Sequence, residues 1–420
     1  MASLREQGSL KSAEHRTRPH HREWLVVCLL AGLWSLVVGW LAISRHLAFD
    51  TGYDLGTFTQ VVWATSQGRP FYSSLTAGMT SFLGLHFSPL LALLAPLYGL
   101  WPDARTLLLA QTVVLAAGVI PLYGFARARI GRCLSLLTVA AYLLAPLLLS
   151  IALFECHAIA FGVPLLMAAG AALLDERPSA TIIWLVLALM AKEEIAIIAV
   201  GFGLYALLIQ RRVRFGAVLT TGAMAWTIVL FNWLMPAFGQ NPDGYAFSYR
   251  YETLGGTPGQ VIRTLVTKPR TVLQVVATRP KATFLLQLLA PLAGLPLLGI
   301  PAVLLTLPTL AYLLLSDYGL MVSIRYHYTA PLIPFLLLAT VIAVQRLRTR
   351  SLRLARIAGA FLLTATLICA WWWSPLPGGR AFESGNAIGS EEVQAMRALL
   401  AAVPADAAVA SDWALSLIHI

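Results

Sequence analysis

Few residues in this chain can do chemistry, and they stand beside long apolar runs: Asp50 and Asp54, Glu155 with His157, and Lys192-Glu193-Glu194. Placing a charged side chain at a helix centre in a bilayer costs roughly 3 kcal/mol, so such groups belong in a site, in a lumen or at the water boundary. Asp54 lies in Phe49-Asp50-Thr51-Gly52-Tyr53-Asp54-Leu55-Gly56, ahead of an aromatic, helix-prone stretch with Gln60 and Trp63. A carboxylate there can deprotonate an acceptor or hold Mg²⁺ or Mn²⁺, which prefer hard oxygen ligands. It can also cap a helix starting near Leu55, a common use of aspartate. In Phe154-Glu155-Cys156-His157 a carboxylate and an imidazole can both ligate a metal, form an acid/base pair, or hydrogen-bond within a tight turn.

Lys192 can neutralise a phosphate as a point charge. With Glu193 and Glu194 it can instead form a self-neutralising ion pair. Arg325-Tyr326-His327-Tyr328 and the stretch from Tyr245 to Tyr251, with Tyr249 and Arg250, set cations beside aromatic rings. Such groups grip a phosphate, stack on a sugar, or form an interfacial belt. His86 stands alone before Pro89, a setting in which histidine is more often structural than catalytic. The chain has no P-loop, GxGxxG, nucleophile elbow or HExxH pattern, which disfavours ATP hydrolysis and serine or zinc hydrolase chemistry.

The elements that must position these groups are membrane helices. The chain has 420 residues, 58% of them hydrophobic and 12% charged, and a mean hydropathy of +0.75. That is more apolar surface than one soluble core can hide. The net charge of +11 comes from short basic clusters between apolar runs, where it orients a membrane protein and does not point to nucleic acid. Cys28, Cys133, Cys156 and Cys369 show no metal spacing and read as small core hydrophobes.

A bilayer core about 30 Å thick takes about 20 helical residues. Runs of that kind extend over 24–43, 105–125, 133–153, 157–174, 215–236, 283–300, 328–345 and 355–373, with a shorter one over 301–316. The clusters at Arg127/Arg129/Arg132, Arg211/Arg212/Arg214 and Arg346 to Arg356 should share the cytoplasm with the N-terminus. The stretch 82–101, with Pro89 and Pro96, is then a re-entrant or surface helix on the outer side. As one helix, 181–209 would reach about 43 Å, so two short helices meeting at Lys192-Glu193-Glu194 fit better.

The expectation is an all-α polytopic integral membrane protein with about 11 transmembrane helices. Its cytoplasmic basic tail is 1–23, and the transmembrane domain 24–373 carries outer loops 44–104 and 239–282. Residues 374–414 read as the start of an extracytoplasmic C-terminal domain that is cut short. The last six, Leu415 to Ile420, match what a transposon-end sequencing adapter encodes. This topology places Asp50, Asp54, Glu155, His157, Lys192, Glu193 and Glu194 on one outer face.

The motifs Tyr53-Asp54-Leu55-Gly56-Thr57-Phe58-Thr59-Gln60, Phe154-Glu155-Cys156-His157 and Lys192-Glu193-Glu194, with the tract from Leu254 to Pro308, resemble a prokaryotic family of predicted membrane proteins of unknown function. In layout that family is similar to the GT-C superfamily of lipid-linked glycosyltransferases, such as protein mannosyltransferases and aminoarabinose transferases. The resemblance implies a GT-C-like architecture, a polyprenyl-phosphate sugar donor, membrane lipid as partner and a plasma-membrane location. It also implies that Asp54 is the first-loop acid, Glu155 the second-loop acid and Lys192 a donor-phosphate contact. The residues themselves add His157 to the catalytic group, Asp54 and Glu155 as candidate ligands of a divalent cation, Arg325 as a second phosphate contact, and Gln60, Tyr249 and Arg250 as further substrate contacts. Ala158 stands where a proline is expected, and Thr59 where an acid is frequent. The competing classes are a transporter or lipid flippase, marked by interrupted helices and intramembrane charge, and a non-catalytic envelope assembly protein.

Overall fold

The computed structural model describes residues 21–75, 81–239, 245–383 and 389–404, and all regular structure among them is helical. Most of the N-terminal tail and the run from Leu415 to Ile420 lie outside the described residues. In chain order the helices are α1 His21–Leu47, α2 Tyr53–Ser66, α3 Pro89–Leu100, α4 Arg105–Ile130, α5 Arg132–Leu143, α6 Pro146–Leu153, α7 Ala158–Leu174, α8 Pro178–Leu189 and α9 Ile195–Ile209. They continue with α10 Val213–Ala237, α11 Pro258–Thr267, α12 Pro269–Val276, α13 Arg279–Leu289, α14 Ile300–Leu315, α15 Leu332–Arg350, α16 Leu352–Trp373 and α17 Glu391–Ala401.

Five described helices are long and apolar enough to cross a bilayer: α1, α4, α10, α15 and α16. The pair α5 and α6 passes the same test together, bent by 42° where Pro146 forbids a helical residue before it. At 1.5 Å per residue α3 reaches only about 18 Å, short of the hydrocarbon thickness. That agrees with a re-entrant or surface piece. Helices α8 and α9 meet in a turn at Lys192, as the length argument over 181–209 requires.

The run 283–300 is not one helix. The chain leaves α13 through Ala293 (φ 52°) and Gly294 (φ 68°), both left-handed, and prolines 291 and 296 withhold the amides that would continue a ladder. The break then packs flush on α15: a Cβ on Gly299 would sit 2.1 Å from the Ala339 carbonyl oxygen. Apolar content alone cannot register such a break.

Polar contacts sort the helix ends into two groups. Arg127 donates to Glu23 at 2.7 Å and Tyr123 to the same carboxylate at 2.9 Å, joining the start of α1 to the end of α4. Arg129 reaches Asp175 at 2.5 Å, Arg212 the Glu176 carbonyl at 3.0 Å, and Arg348 the Arg129 carbonyl at 3.0 Å. The three basic clusters thus gather at one end of the bundle. The opposite end carries the turns after α1, α6, α8 and α14, and these bring the acidic and histidine motifs together.

Candidate active site

Helix α2 begins one residue before Asp54, with Gly52 at its N-cap and no side chain capping it from within. Asp54 therefore sits in the first turn with its carboxylate turned away from the helix, and the capping role is not its own. That role falls to Glu155, whose Oε2 accepts the Leu55 amide at 2.7 Å. A carboxylate at a helix N-terminus satisfies an orphan amide and meets the positive end of the dipole. Glu155 thereby fixes where Asp54 stands.

The turn bearing Glu155 is held from below by Gln111 of α4. Its Nε2 donates to the carbonyls of Ile151 (3.1 Å) and Glu155 (2.8 Å), and its Oε1 accepts the His157 amide at 2.8 Å. Gln111 is fully buried. Motif reading passes it over, yet a lone amide inside an apolar span is a signal in itself, because it needs partners there.

So positioned, His157 brings Nε2 to 3.0 Å from Asp54 Oδ2. An ionised carboxylate only accepts, so Nε2 carries the hydrogen of this bond, and Nδ1 is buried without a hydrogen-bond partner among the described residues. The ring is clamped between Phe154 at 5.6 Å and His327 at 3.7 Å, both nearly parallel to it. The Asp54 side chain keeps 45% of its surface exposed, whereas His157 keeps 6%.

The two carboxyls are driven apart. Burial pushes Asp54 up, but the hydrogen bond and charge of His157, with His86 and Lys192 further off, outweigh it and hold the acid below its ordinary range. Burial and then the charge of Asp54 push Glu155 up. The two carboxyls are thus separated, and Asp54 is the one held ionised and able to accept a proton or a cation. Burial, then the neighbouring cations, holds His327 far below its ordinary value, so it faces the site neutral.

Asp54 opens into a cavity of about 180 Å³ lined also by His86, His157, Lys192, Phe247, Arg250, His327 and Tyr328. Lys192 pairs with Glu194 at 3.2 Å, and Glu193 binds His86 Nδ1 at 2.8 Å and the Phe87 amide at 3.1 Å. His86 in turn stacks on Phe247 at 4.9 Å. The triplet thus splits its work, one acid holding the lysine in place and the other anchoring His86. Arg250 stands 4.0 Å from the Phe247 ring and 5.3–5.4 Å from Tyr318 and Tyr328. It has no carboxylate partner among the described residues, and its Nε makes no hydrogen bond. A caged guanidinium without a counter-ion is set up to receive an anion.

Other expected residues lie elsewhere. Gln60 is spent on a loop, accepting from Ser73 Oγ (2.7 Å) and the Ser74 amide (2.9 Å). Arg325 pairs with Glu383 at 2.8 Å and, with Asp50, lines a separate cavity of about 540 Å³. Asp50 is bound to Arg45 at 2.8 Å. Tyr249 is exposed and packs edge-on to Tyr318 without lining the smaller cavity. An open cleft of about 590 Å³ on the other side of Asp54 is bordered by Arg45, Asp50, Glu155 and Tyr326.

No group of three or more His, Cys, Asp or Glu side chains among the described residues is arranged to hold a metal ion. A magnesium-like ion needs only one or two carboxylates when substrate phosphate and water complete its shell. The second carboxylate oxygen of Asp54 takes no hydrogen bond among the described residues, so Asp54 is the residue that would hold such an ion.

The model of a family described as predicted membrane protein (DUF2079) matches residues 45–416. This chain belongs to that family. The match spans every element of the site, from Asp50 to Tyr328. No curated protein matches this DUF2079 member in sequence. Among solved structures it is similar to the crystal structure of ArnT from Cupriavidus metallidurans bound to undecaprenyl phosphate, with 17% identity and a TM-score of 0.48. That similarity covers 83% of this chain and 65% of the other.

Proposed function

We propose that this protein is a lipid-linked glycosyltransferase of GT-C-like architecture. It moves a sugar from a polyprenyl-phosphate carrier to an acceptor hydroxyl at the extracytoplasmic face of the plasma membrane. The observation that carries the reading is one aromatic-walled cavity, at one end of an apolar bundle, shared by a base (Asp54 with His157) and two cations (Lys192 and Arg250). Its chain runs through about eleven crossings, with the N-terminus and basic clusters cytoplasmic and the C-terminus extracytoplasmic.

In the transfer, the acceptor oxygen bonds to the anomeric carbon as the bond from that carbon to the phosphate oxygen breaks. The electron pair leaves on the phosphate, where Arg250 and Lys192 offset the charge. The acceptor proton passes to Asp54, which His157 holds in place through Nε2–H. Positioned general bases contribute about 10²–10⁴-fold, and fixed cations aimed at developing charge in a dry site contribute at least as much. Asp54 is the residue that would hold a divalent cation, which would supply further charge neutralisation. Glu155 acts through Asp54 as a positioning residue.

Mass spectrometry of envelope glycans and lipid-linked precursors in a deletion strain tests the reading. Accumulated donor lipid supports transfer, and an unchanged profile removes it in favour of transport or assembly. Complementation by Asp54→Asn, expressed at the wild-type level, should leave the donor accumulated. Full restoration by that variant removes Asp54 as the base.

A further inference from the structure

The segment 258–282 contains Arg263, Lys268, Arg270, Arg279 and Lys281 and no acidic residue. Pro258 and Pro269 each open a short helix, and Thr257 with Gln260 forms a reciprocal cap at the first. The hairpin of α11 and α12 is bolted to the end of the bundle that bears the site. Lys281 Nζ donates to the carbonyls of Val275 (2.7 Å) and Ser316 (2.9 Å), and the Thr253 amide to Asp317 at 2.8 Å.

Its outward face is apolar where a loop in water would be polar. Ile262, Leu265 and Val266 form one stripe of α11, 62%, 39% and 77% exposed, and Leu273 of α12 is 65% exposed. Arg263, Lys268, Arg270 and Arg279 are exposed beside them, and none forms an ion pair among the described residues. Four unpaired cations at the end opposite the basic clusters run against the positive-inside pattern. A cost of that kind is offset where the cations meet anions. A short amphipathic helix with basic residues flanking a bare apolar stripe is the form that lies in the headgroup boundary.

We propose that α11 and α12 form an interfacial hairpin that seats its apolar stripe in the leaflet on the side of the active-site cavity and binds anionic lipid headgroups through Arg263, Lys268, Arg270 and Arg279. The occupant is the lipid surface because α13, which follows directly, continues the apolar exterior through Leu286 into the bundle's flank. Charge selects anionic over zwitterionic lipid. The proposal is independent of sugar transfer.

The test uses full-length protein with Cys28 and Cys133 replaced by serine, reconstituted in phosphatidylcholine with and without phosphatidylglycerol. A nitroxide on Leu265→Cys should collide with oxygen and be shielded from a water-soluble nickel chelate, and one on Thr267→Cys should do the reverse. Spin-labelled phosphatidylglycerol should be enriched over phosphatidylcholine around the protein. Replacing the four exposed basic residues by glutamine should remove that enrichment, with association weakened by about fivefold per charge. The corresponding all-lysine variant should retain it. Equal nickel access at both positions overturns the proposal. Immobilisation of the Leu265 label by a second copy or a protein partner overturns it as well, and so does enrichment that survives the glutamine variant.

Discussion

Replacing Gln111 by leucine isolates the device that sets the site. The two side chains are close in shape, so the core stays filled while the amide is lost. Three buried backbone groups then lose a partner, the His157 N–H and the Ile151 and Glu155 carbonyls. Leaving a buried polar group unsatisfied costs about 1–3 kcal/mol, and three such groups at the lower end of that range cost about 3 kcal/mol. At 1.4 kcal/mol per tenfold, the equilibrium for opening the 154–157 turn rises about 10²-fold. Hydrogen exchange read by mass spectrometry on peptides covering this turn checks the value in detergent-solubilised protein. The His157 amide should lose about two decades of protection, while the interior of α15, which Gln111 does not touch, keeps its own. Protection of the turn within a few-fold of wild type would refute the reasoning, since the amide would then not be what holds the turn. A uniform loss over all helices would refute it too, by showing a fault in packing.

Glu155→Gln should flatten the pH dependence of stability. Glu155 is raised from its ordinary 4.5, by burial first and then by Asp54. A raised carboxyl stabilises the fold while protonated; that contribution is complete below 4.5 and is lost as pH climbs through the raised folded value. Glutamine keeps a carbonyl for the Leu55 amide and cannot ionise, so thermal melts should lose this downward slope; an equal slope in both proteins counts against the assignment. Arg250→Met should weaken binding of a polyprenyl phosphate by about 10–100-fold, the worth of a charged hydrogen bond, in equilibrium titration of purified protein. Arg325→Met, which removes an exposed pair with Glu383, should stay near wild type; the reverse ranking would move the phosphate to the cavity that Arg325 lines.

Composition and charge clustering determine much about this protein without coordinates. Apolar runs too long for a soluble core make it a helical membrane protein, and arginine clusters spaced along the chain mark the loops that share one end of the bundle. The length of 181–209 was enough to demand a turn at Lys192. The three motifs were legible as chemistry because charges beside apolar runs need a reason to be there.

Tertiary structure alone decided what each of those charges does. Whether Asp54 or Glu155 caps α2 depends on a turn 100 residues away in the chain, and no local propensity carries that. Arg250 becomes the unpaired cation, and Arg325 the paired one, only when Tyr318, Tyr328 and Glu383 fold beside them. Gln111 sits in an apolar run like any tolerated polar residue until the turn it supports arrives on top of it. Hydrophobic periodicity and charge are properties of neighbours in sequence, whereas hydrogen-bond partners and counter-ions are properties of neighbours in space. The helical membrane class could therefore be read along the chain, whereas the break within 283–300 and the partners within the site could not.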